Sequence, residues 1–349
     1  MNVKEKIKKI DMGSLKNARF NLIWKRGAWF LASLVLSVST VIGGSCPFAV
    51  SLICVSSKKN FLFSTVGAGL GYMLFCGGND AIRYFSATII ACLGALAINI
   101  FNTKKEAYLP MLVAFLSVFT TGIVMNLKTG AVIGQYALVF GEAVLAMGGS
   151  YFFFKGVNCN MKRLKFKALP VTDLTCLLIS FSTLLSSLCV INIKGFAPAR
   201  MLAVAFMLIA IRFGSKKWGL IISICLGFAI GISGENSLFL LGAYAFSALA
   251  AGLFTSISSL SVGACFVFSM AFFAVASGEG ALALCSVLES FGGALILVLL
   301  PESARYKINE FFESGADIAP DGSLRQSLVV RLRFASSALS QVSESVRDV

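Results

Sequence analysis

Histidine is absent from the 349 residues of this chain, and charged residues make up only 13% of it. Without histidine there is no imidazole to assist a nucleophile or to ligate a metal. The ten cysteines are scattered without a CxxC pair, so neither a zinc site nor a disulfide framework is indicated. No glycine-rich phosphate loop and no GxSxG turn occurs in the polar segments. The sequence therefore predicts no catalytic residue, no cofactor site and no metal site.

Apolar residues dominate what is present. They make up 57% of the chain, and the mean hydropathy is +0.86, far above that of a soluble domain. The formal net charge of +14 does not indicate nucleic-acid binding, because the lysines and arginines form small clusters between apolar runs, where topology determinants lie. The composition predicts an all-α, multi-pass membrane protein whose main partner is the lipid bilayer.

Apolar segments of membrane-spanning character follow one another along most of the chain. Two of them, 46–57 and 198–213, are short for a span of about 20 residues and are candidates for half-helices. We mark twelve segments: 27–45, 46–57, 61–77, 83–101, 107–126, 132–155, 172–193, 198–213, 217–233, 237–254, 258–277 and 280–300.

Charge gives an independent test of the number of crossings. The strongly basic region 1–26 is expected in the cytosol by the positive-inside tendency. Twelve crossings then put most lysine clusters inside, whereas omitting the two short segments would move both Lys-Lys pairs outside, so twelve is favoured and ten is the alternative. Either count leaves both termini in the cytosol. The outward loops would carry only Arg83, Lys128 and Lys194.

The two halves of the membrane region, 27–155 and 172–300, resemble each other weakly and flank a basic cytosolic loop, 156–171. Each half has a proline opening its short second segment, then a Lys-Lys loop, a GxxxG pair and a polar glycine-containing loop. With six spans a half, the copies would be parallel repeats about an axis along the membrane normal. The GxxxG glycines favour close helix packing within the bundle; they are Gly67, Gly71, Gly227 and Gly231.

Ionisable residues inside the membrane are the strongest candidates for a functional role. Glu142 and Glu289 lie near the middle of the sixth segment of each half, where a carboxyl group suggests a proton or ion relay. The alternative is that each glutamate is protonated or paired and simply fastens two helices. Arg200 lies within a turn of the end of its short segment, so we expect it to snorkel to the surface or to reach Glu235 or Glu279.

After Pro301 the apolar runs end, and residues 301–349 are predicted to form a cytosolic linker. Its helix, 323–347, has an apolar seam at nearly coiled-coil spacing, which favours self-association or signal relay over binding to the membrane surface. The seam consists of Leu328, Leu332, Ala335, Leu339, Val342 and Val346.

The order of several segments resembles the N-terminal part of the stage II sporulation protein E family. They are "FAPARMLAVAFMLI", "AYAFSALAAGL", "LESFGGALILVLLPESARYKI" and the linker "RLRFASSALSQVSES". The resemblance implies a membrane domain, an oligomerising linker that engages the tubulin-like division protein FtsZ, and a C-terminal manganese-dependent serine/threonine phosphatase. That phosphatase would act on an anti-sigma factor antagonist and so activate the forespore sigma factor.

This chain has no counterpart of the acidic metal ligands of that phosphatase, so no catalytic residue is carried over. We expect a fragment, a truncated gene product or a stand-alone membrane module, located in the bacterial cytoplasmic membrane and at the asymmetric septum during sporulation. The rival prediction is a proton-coupled secondary transporter that uses Glu142 and Glu289, because parallel repeats and proline-opened short helices are typical of that class.

Overall fold

The structure is a computed structural model. It describes residues 23–41, 44–101, 107–130, 132–159, 170–190, 195–214, 216–232, 237–277 and 280–313. Within these ranges the chain forms α-helices and no named strand, with a single isolated β-bridge between Val41 and Ser45. The predicted all-α class is thereby confirmed. The basic start 1–22, most of the loop 156–171 and the seam helix 323–347 lie outside the described residues.

Six helices make up the first half of the membrane region. Their lengths are uneven: the second is only 8 residues long, whereas the sixth has 26. They are α1 (23–36), α2 (Phe48–Val55), α3 (Phe61–Phe75), α4 (Gly78–Ile100), α5 (Tyr108–Thr129) and α6 (Ile133–Asn158).

The second half follows the same order of helices. Its second helix has 16 residues, one fewer than each of the next two helices, and has a proline in its first turn. The helices are α7 (Val171–Cys189), α8 (Pro198–Phe213), α9 (Lys216–Ile232), α10 (Ser237–Leu253), α11 (Ser259–Ser277) and α12 (Gly280–Leu299); α13 (Glu302–Glu313) follows.

Only some of the helices are long enough to cross a bilayer alone. Among the described residues, five helices are long and apolar enough to do so, or six if Leu284–Leu299 and Glu302–Phe312 count as one interrupted span. An eight-residue helix is only about 12 Å long, less than half of a hydrocarbon core about 30 Å thick. The count of ten to twelve crossings therefore stays a prediction.

The helix pairs that pack together recur with an offset of six. In the first half α2 contacts α4, α5 and α6, and in the second half α8 contacts α10, α11 and α12. The consecutive pairs from α3 to α6 likewise have equivalents from α9 to α12. Helices α6 and α7 contact each other and join the two halves.

Small residues allow the helices of the first half to approach closely. A Cβ at Gly67 would overlap the backbone carbonyl of Phe30 on α1, and a Cβ at Gly71 would overlap the side chain of Ser37, directly after α1. In the second half, a Cβ at Gly227 would lie 3.0 Å from that of Tyr244.

Many large apolar side chains are exposed on the outside of the bundle, for example Phe268 and Leu299, as expected of a surface that faces lipid.

The chain divides into two compact units. The first comprises Met1–Cys159 with Val171–Leu300, and the second comprises Asn160–Pro170 with Pro301–Val349. Within the second unit the described helix is α13, whose sequence ESARYKINEFFE mixes charged and apolar residues and leaves Tyr306 exposed. The apolar runs of the sequence end before Pro301, and α13 was not predicted.

Candidate functional site

The short helix α2 follows a break in the helical structure of the chain. The described residues between Ser37 and Pro47 form no α-helix, and Gly44 adopts a left-handed backbone conformation with φ of 77°. Glycine adopts that conformation without strain, and Pro47 at the N-cap has no N–H to leave unsatisfied. The run "GGSCP" therefore lies in the break between α1 and α2, and α2 starts directly after it.

Helix α2 runs beside α6 in the same direction. The hydroxyl of Ser51 donates to the carbonyl of Ala146 at 2.7 Å, and the hydroxyl of Ser150 donates to the carbonyl of Ser51 at 3.3 Å. Cys46, just before α2, lies at the level of Glu142. Because Glu142 is nine residues past the start of α6, α2 begins about 13 Å along that helix. The helix therefore starts inside the bundle, where backbone groups need protein partners.

Glu142 supplies such a partner together with two residues of α4. Its side chain is buried and forms an ion pair with Arg83, whose side chain is 12% exposed. The hydroxyl of Tyr84 donates to the other carboxylate oxygen at 2.5 Å and accepts the N–H of Cys46 at 2.9 Å. The glutamate thus reaches the backbone before α2 through one tyrosine.

A second tyrosine completes the support of this peptide. The hydroxyl of Tyr72 donates to the carbonyl of Cys46, and its ring stacks on that of Tyr84 with centroids 4.9 Å apart. Gly122 on α5 leaves room for the guanidinium, since a Cβ there would lie 2.9 Å from Nη2 of Arg83. Residues of the four helices α3, α4, α5 and α6 therefore meet around one ion pair at the start of α2.

The second half has a related arrangement at the start of α8. The N–H of Ala197, the N-cap residue, donates directly to Oε1 of Glu289 at 2.6 Å. The Nε of Arg200 lies 3.4 Å from the other carboxylate oxygen, and its Nη2 donates to the carbonyl of Gly195 at 3.0 Å. Glu289 is fully buried, and Arg200 is 7% exposed. A carboxylate at a helix N-terminus is favourable because the peptide dipoles point their positive end toward it.

The two glutamates occupy equivalent positions. Each is the tenth residue of its helix, counted from Ile133 in α6 and from Gly280 in α12. Each lies beside the start of a helix that a proline opens, and each forms an ion pair with an arginine. The arginine comes from α4 in the first half and from the short helix itself in the second. Equivalent carboxylates are therefore paired by arginines from different elements.

Two predictions about the cations are wrong. Arg200 does not snorkel to the surface, because the buried carboxylate of Glu289 is within its reach. Arg83 is not a loop residue: α4 begins at Gly78 rather than at residue 83, so Arg83 lies in its second turn and points to Glu142. It therefore does not count as an exposed charge of an outward loop.

A polar cavity of about 550 Å³ opens beside the pair of the first half. Its lining comes from the loop before α2, the start of α4, the end of α5 and the start of α6, and we call it the α4–α6 cavity. Exposed polar side chains form its rim, namely Asn79, Asp80, Thr129 and Gln135. The ion pair Arg83–Glu142 and the buried Tyr84 form its floor. No sequence pattern predicts this cavity, because it is assembled from four separate segments.

The polar groups at these sites can bind a ligand and fasten helices. No group of three or more histidine, cysteine, aspartate or glutamate side chains in the described part of the chain is placed to hold a metal ion. The polar groups at hand are two buried ion pairs, several hydroxyls and a polar cavity. These groups stabilise helix starts and provide hydrogen-bond donors and acceptors for a ligand.

Comparison with known proteins identifies the family. The family model described as "SpoIIE, N-terminal domain" matches residues 1–309. The chain belongs to the SpoIIE family. The match includes every helix from α1 to α12 and confirms the resemblance inferred from the sequence. It is confined to the N-terminal domain of that family, and no phosphatase domain was matched. No curated protein and no solved structure matches the chain.

Proposed function

We propose that this SpoIIE-family membrane domain anchors a sporulation protein serine/threonine phosphatase, brings it to the asymmetric septum and promotes its oligomerisation. The phosphatase would act on an anti-sigma factor antagonist and thereby activate the forespore sigma factor. The observation that carries the proposal is the family match over residues 1–309, which includes all twelve helices of the bundle. The chain itself would be a membrane module without catalytic residues.

The buried ion pairs support an anchoring role. In each half, a glutamate of the sixth helix ties down the start of the short second helix, and an arginine neutralises its charge. A group that is already paired and hydrogen-bonded in this way stabilises the bundle, as expected of a helix fastener. A bundle so fastened would hold the following linkers at a high local concentration and convert a weak coiled-coil seam into productive pairing.

The partners and the location belong to the same proposal. The domain would lie in the cytoplasmic membrane with both termini in the cytosol. Its linker, including the seam from Leu328 to Val346, would self-associate and engage FtsZ, and manganese would serve the phosphatase domain of the family. The recurrence of packing pairs with an offset of six helices supports two parallel six-helix repeats.

Localisation in sporulating cells tests the proposal. The chain is fused to a fluorescent protein and imaged during septum formation, beside an unrelated multi-span membrane protein that carries the same label. We expect the signal of the chain to be enriched at septa relative to the control. Uniform fluorescence around the membrane, equal to the control, would contradict the septal role. The purified chain is also expected to show no phosphatase activity on a phosphorylated antagonist.

A second candidate function is a proton-coupled secondary transporter, favoured by one observation. The α4–α6 cavity leads to Glu142 near the start of the short helix α2, and transporters bind substrates at breaks between helices. Uptake of labelled amino acids into proteoliposomes, driven by a pH gradient and abolished by Glu142→Gln, would support it. An absence of gradient-driven uptake would leave the anchoring role as the better account.

A further inference from the structure

We propose that the α4–α6 cavity binds a small zwitterion that carries an ammonium and a carboxylate group, the chemistry of a free amino acid or a short peptide. This inference goes beyond the anchoring role and does not depend on it. A membrane anchor needs no polar cavity. A ligand bound there would contact α4, α5 and α6 together, so its occupancy would stabilise the bundle.

The size of the cavity suits such a ligand. Its volume of about 550 Å³ lies within the range of roughly 300 to 1,000 Å³ that is usual for small-molecule sites. The rim is polar and exposed, and the floor is formed by buried groups, so a small molecule can enter from one side and be partly desolvated. Hydrogen bonds gain strength in such a partly enclosed site.

The charged side chains of the cavity lining predict that the ligand carries an ammonium group. Arg83 and Glu142 neutralise each other, whereas the carboxylate of Asp80 at the rim has no ion-pair partner among the described residues. The three groups together carry a net charge of −1, since two carboxylates face one guanidinium. An ammonium group of the ligand would therefore pair with the carboxylate of Asp80. A bare divalent cation is disfavoured, because no set of three metal-ligating side chains occurs in the described ranges.

Two buried hydrogen-bond donors without a partner predict that the ligand carries a carboxylate group. The Nε of Arg83 and the Nδ2 of Asn126 are buried, and neither has a hydrogen-bond partner within the described part of the chain. Both residues line the cavity. A buried donor without an acceptor is costly, and a ligand carboxylate would satisfy one or both donors. Asp80 would therefore hold one end of the ligand, and Arg83 with Asn126 the other.

The rest of the lining is neutral and polar. Asn79, Thr129 and Gln135 offer amide and hydroxyl groups that donate and accept hydrogen bonds. Such groups can orient the remaining polar atoms of a ligand without adding charge. The rim lies at the ends of helices opposite to the lysine-rich loops, so the predicted topology makes the cavity accessible from outside the cytosol.

Thermal unfolding of the purified full chain tests the inference. The three tryptophans report unfolding by fluorescence, and each probe is added at millimolar concentration. The zwitterionic probes are the standard L-amino acids and diglycine. Ethylamine and propionate are the matched controls, because each carries only one of the two charged groups. We expect at least one zwitterion to raise the melting temperature in a saturable manner, and the two controls to leave it unchanged.

Variants connect the effect to the cavity. Asp80→Asn and Asn126→Ala should each weaken the apparent affinity for the active zwitterion by about tenfold or more. The first removes the negative charge that faces the ammonium, and the second removes a hydrogen-bond donor to the carboxylate. Asp173→Asn, an acidic residue in the first turn of α7 outside the cavity, is the control and should bind as the parent does. Asp80 is exposed and has no ion-pair partner in the described ranges, so its variant is expected to fold normally.

Three results would each overturn the inference. The first is that no zwitterion shifts the melting temperature. The second is that ethylamine or propionate stabilises the chain as strongly as the best zwitterion does. The third is that Asp80→Asn and Asn126→Ala both retain the parent affinity.

Discussion

Glu289 and Ala197 lie 92 residues apart in the chain, and the N–H of Ala197 donates to the carboxylate of Glu289 at 2.6 Å. This bond ties the start of α8 to the middle of α12. In the first half the same connection is longer: the N–H of Cys46 reaches Glu142 through the hydroxyl of Tyr84. Both glutamates thus stabilise, directly or through a tyrosine, a backbone N–H at the start of a helix that would otherwise lack a partner.

The pair in the second half is expected to be essential for stability. Glu289→Gln keeps an acceptor for Ala197 but leaves the buried Arg200 without a counter-charge. Breaking a buried pair by removing one partner costs about 3 to 5 kcal/mol. We therefore expect a clearly lower melting temperature, measured by tryptophan fluorescence in detergent.

A double variant is the control for this prediction. Arg200→Met combined with Glu289→Gln removes both charges, so it should melt above Glu289→Gln alone, because no uncompensated charge remains. Equal melting temperatures for the parent and Glu289→Gln would show that the pair does not stabilise the fold.

The link through a tyrosine in the first half gives a second prediction. Tyr84→Phe removes the hydroxyl that joins Cys46 to Glu142 and leaves a buried N–H without its acceptor, at a cost of about 1 to 3 kcal/mol. Tyr306→Phe, at a residue 74% exposed, is the matched control and should change stability by about 0.5 kcal/mol or less. Unfolding in a denaturant series measures both. A Tyr84→Phe variant as stable as the control would contradict the proposed link.

Sequence reasoning found the polar centres but not their partners. A carboxylate in an apolar run is visible in the sequence, so Glu142 and Glu289 were identified, and the prolines marked the short helices. The pairing of Arg83 with Glu142 joins residues 59 positions apart, which no local periodicity encodes. The run "GGND" suggested a loop and placed Arg83 outside α4, although the helix begins at Gly78.

The α4–α6 cavity could not be predicted for a similar reason. Its lining comes from four segments that only the packing of the helices brings together. Tyr72, Tyr84 and Gly122 were likewise missed, because aromatic and small residues are common throughout the apolar runs and carry no signal of their own. Composition and charge determine the class of protein, whereas the site depends on which helices become neighbours.

Close packing between α1 and α3 gives a third prediction. Gly67→Ala places a methyl group against the backbone carbonyl of Phe30, and an overpacked contact of this kind costs about 1 to 3 kcal/mol. Gly141→Ala is the control: it also lies within a helix, but nothing is within 4 Å of the added Cβ, so the variant should be neutral or slightly more stable. Melting temperatures of the two variants should therefore move in different directions or by clearly different amounts. Equal changes would show that the α1–α3 contact is not close in the protein.

The last prediction concerns whether the segment 46–57 crosses the membrane. Ser51 lies beside Ala146 and Ser150, and α2 runs parallel to α6. Eight residues further along the chain, Lys59 should therefore lie near the level of the C-terminal end of α6, which carries Lys155 in its last turn. The segment 46–57 then completes a crossing, although its helix alone is only about 12 Å long.

Reporter fusions decide between this topology and the alternative of ten crossings. With twelve crossings, a fusion after Ser57 places the reporter in the cytosol, where green fluorescent protein is fluorescent and alkaline phosphatase is inactive. A fusion after Asn79 should give the opposite result. A fusion after Pro301 is the control, because both counts place it in the cytosol. The fusions after Ser57 and Asn79 could instead exchange their signals while the control is unchanged. The short segments would then not cross the membrane. The start of α2 would belong to a loop that enters and leaves the membrane on the same side.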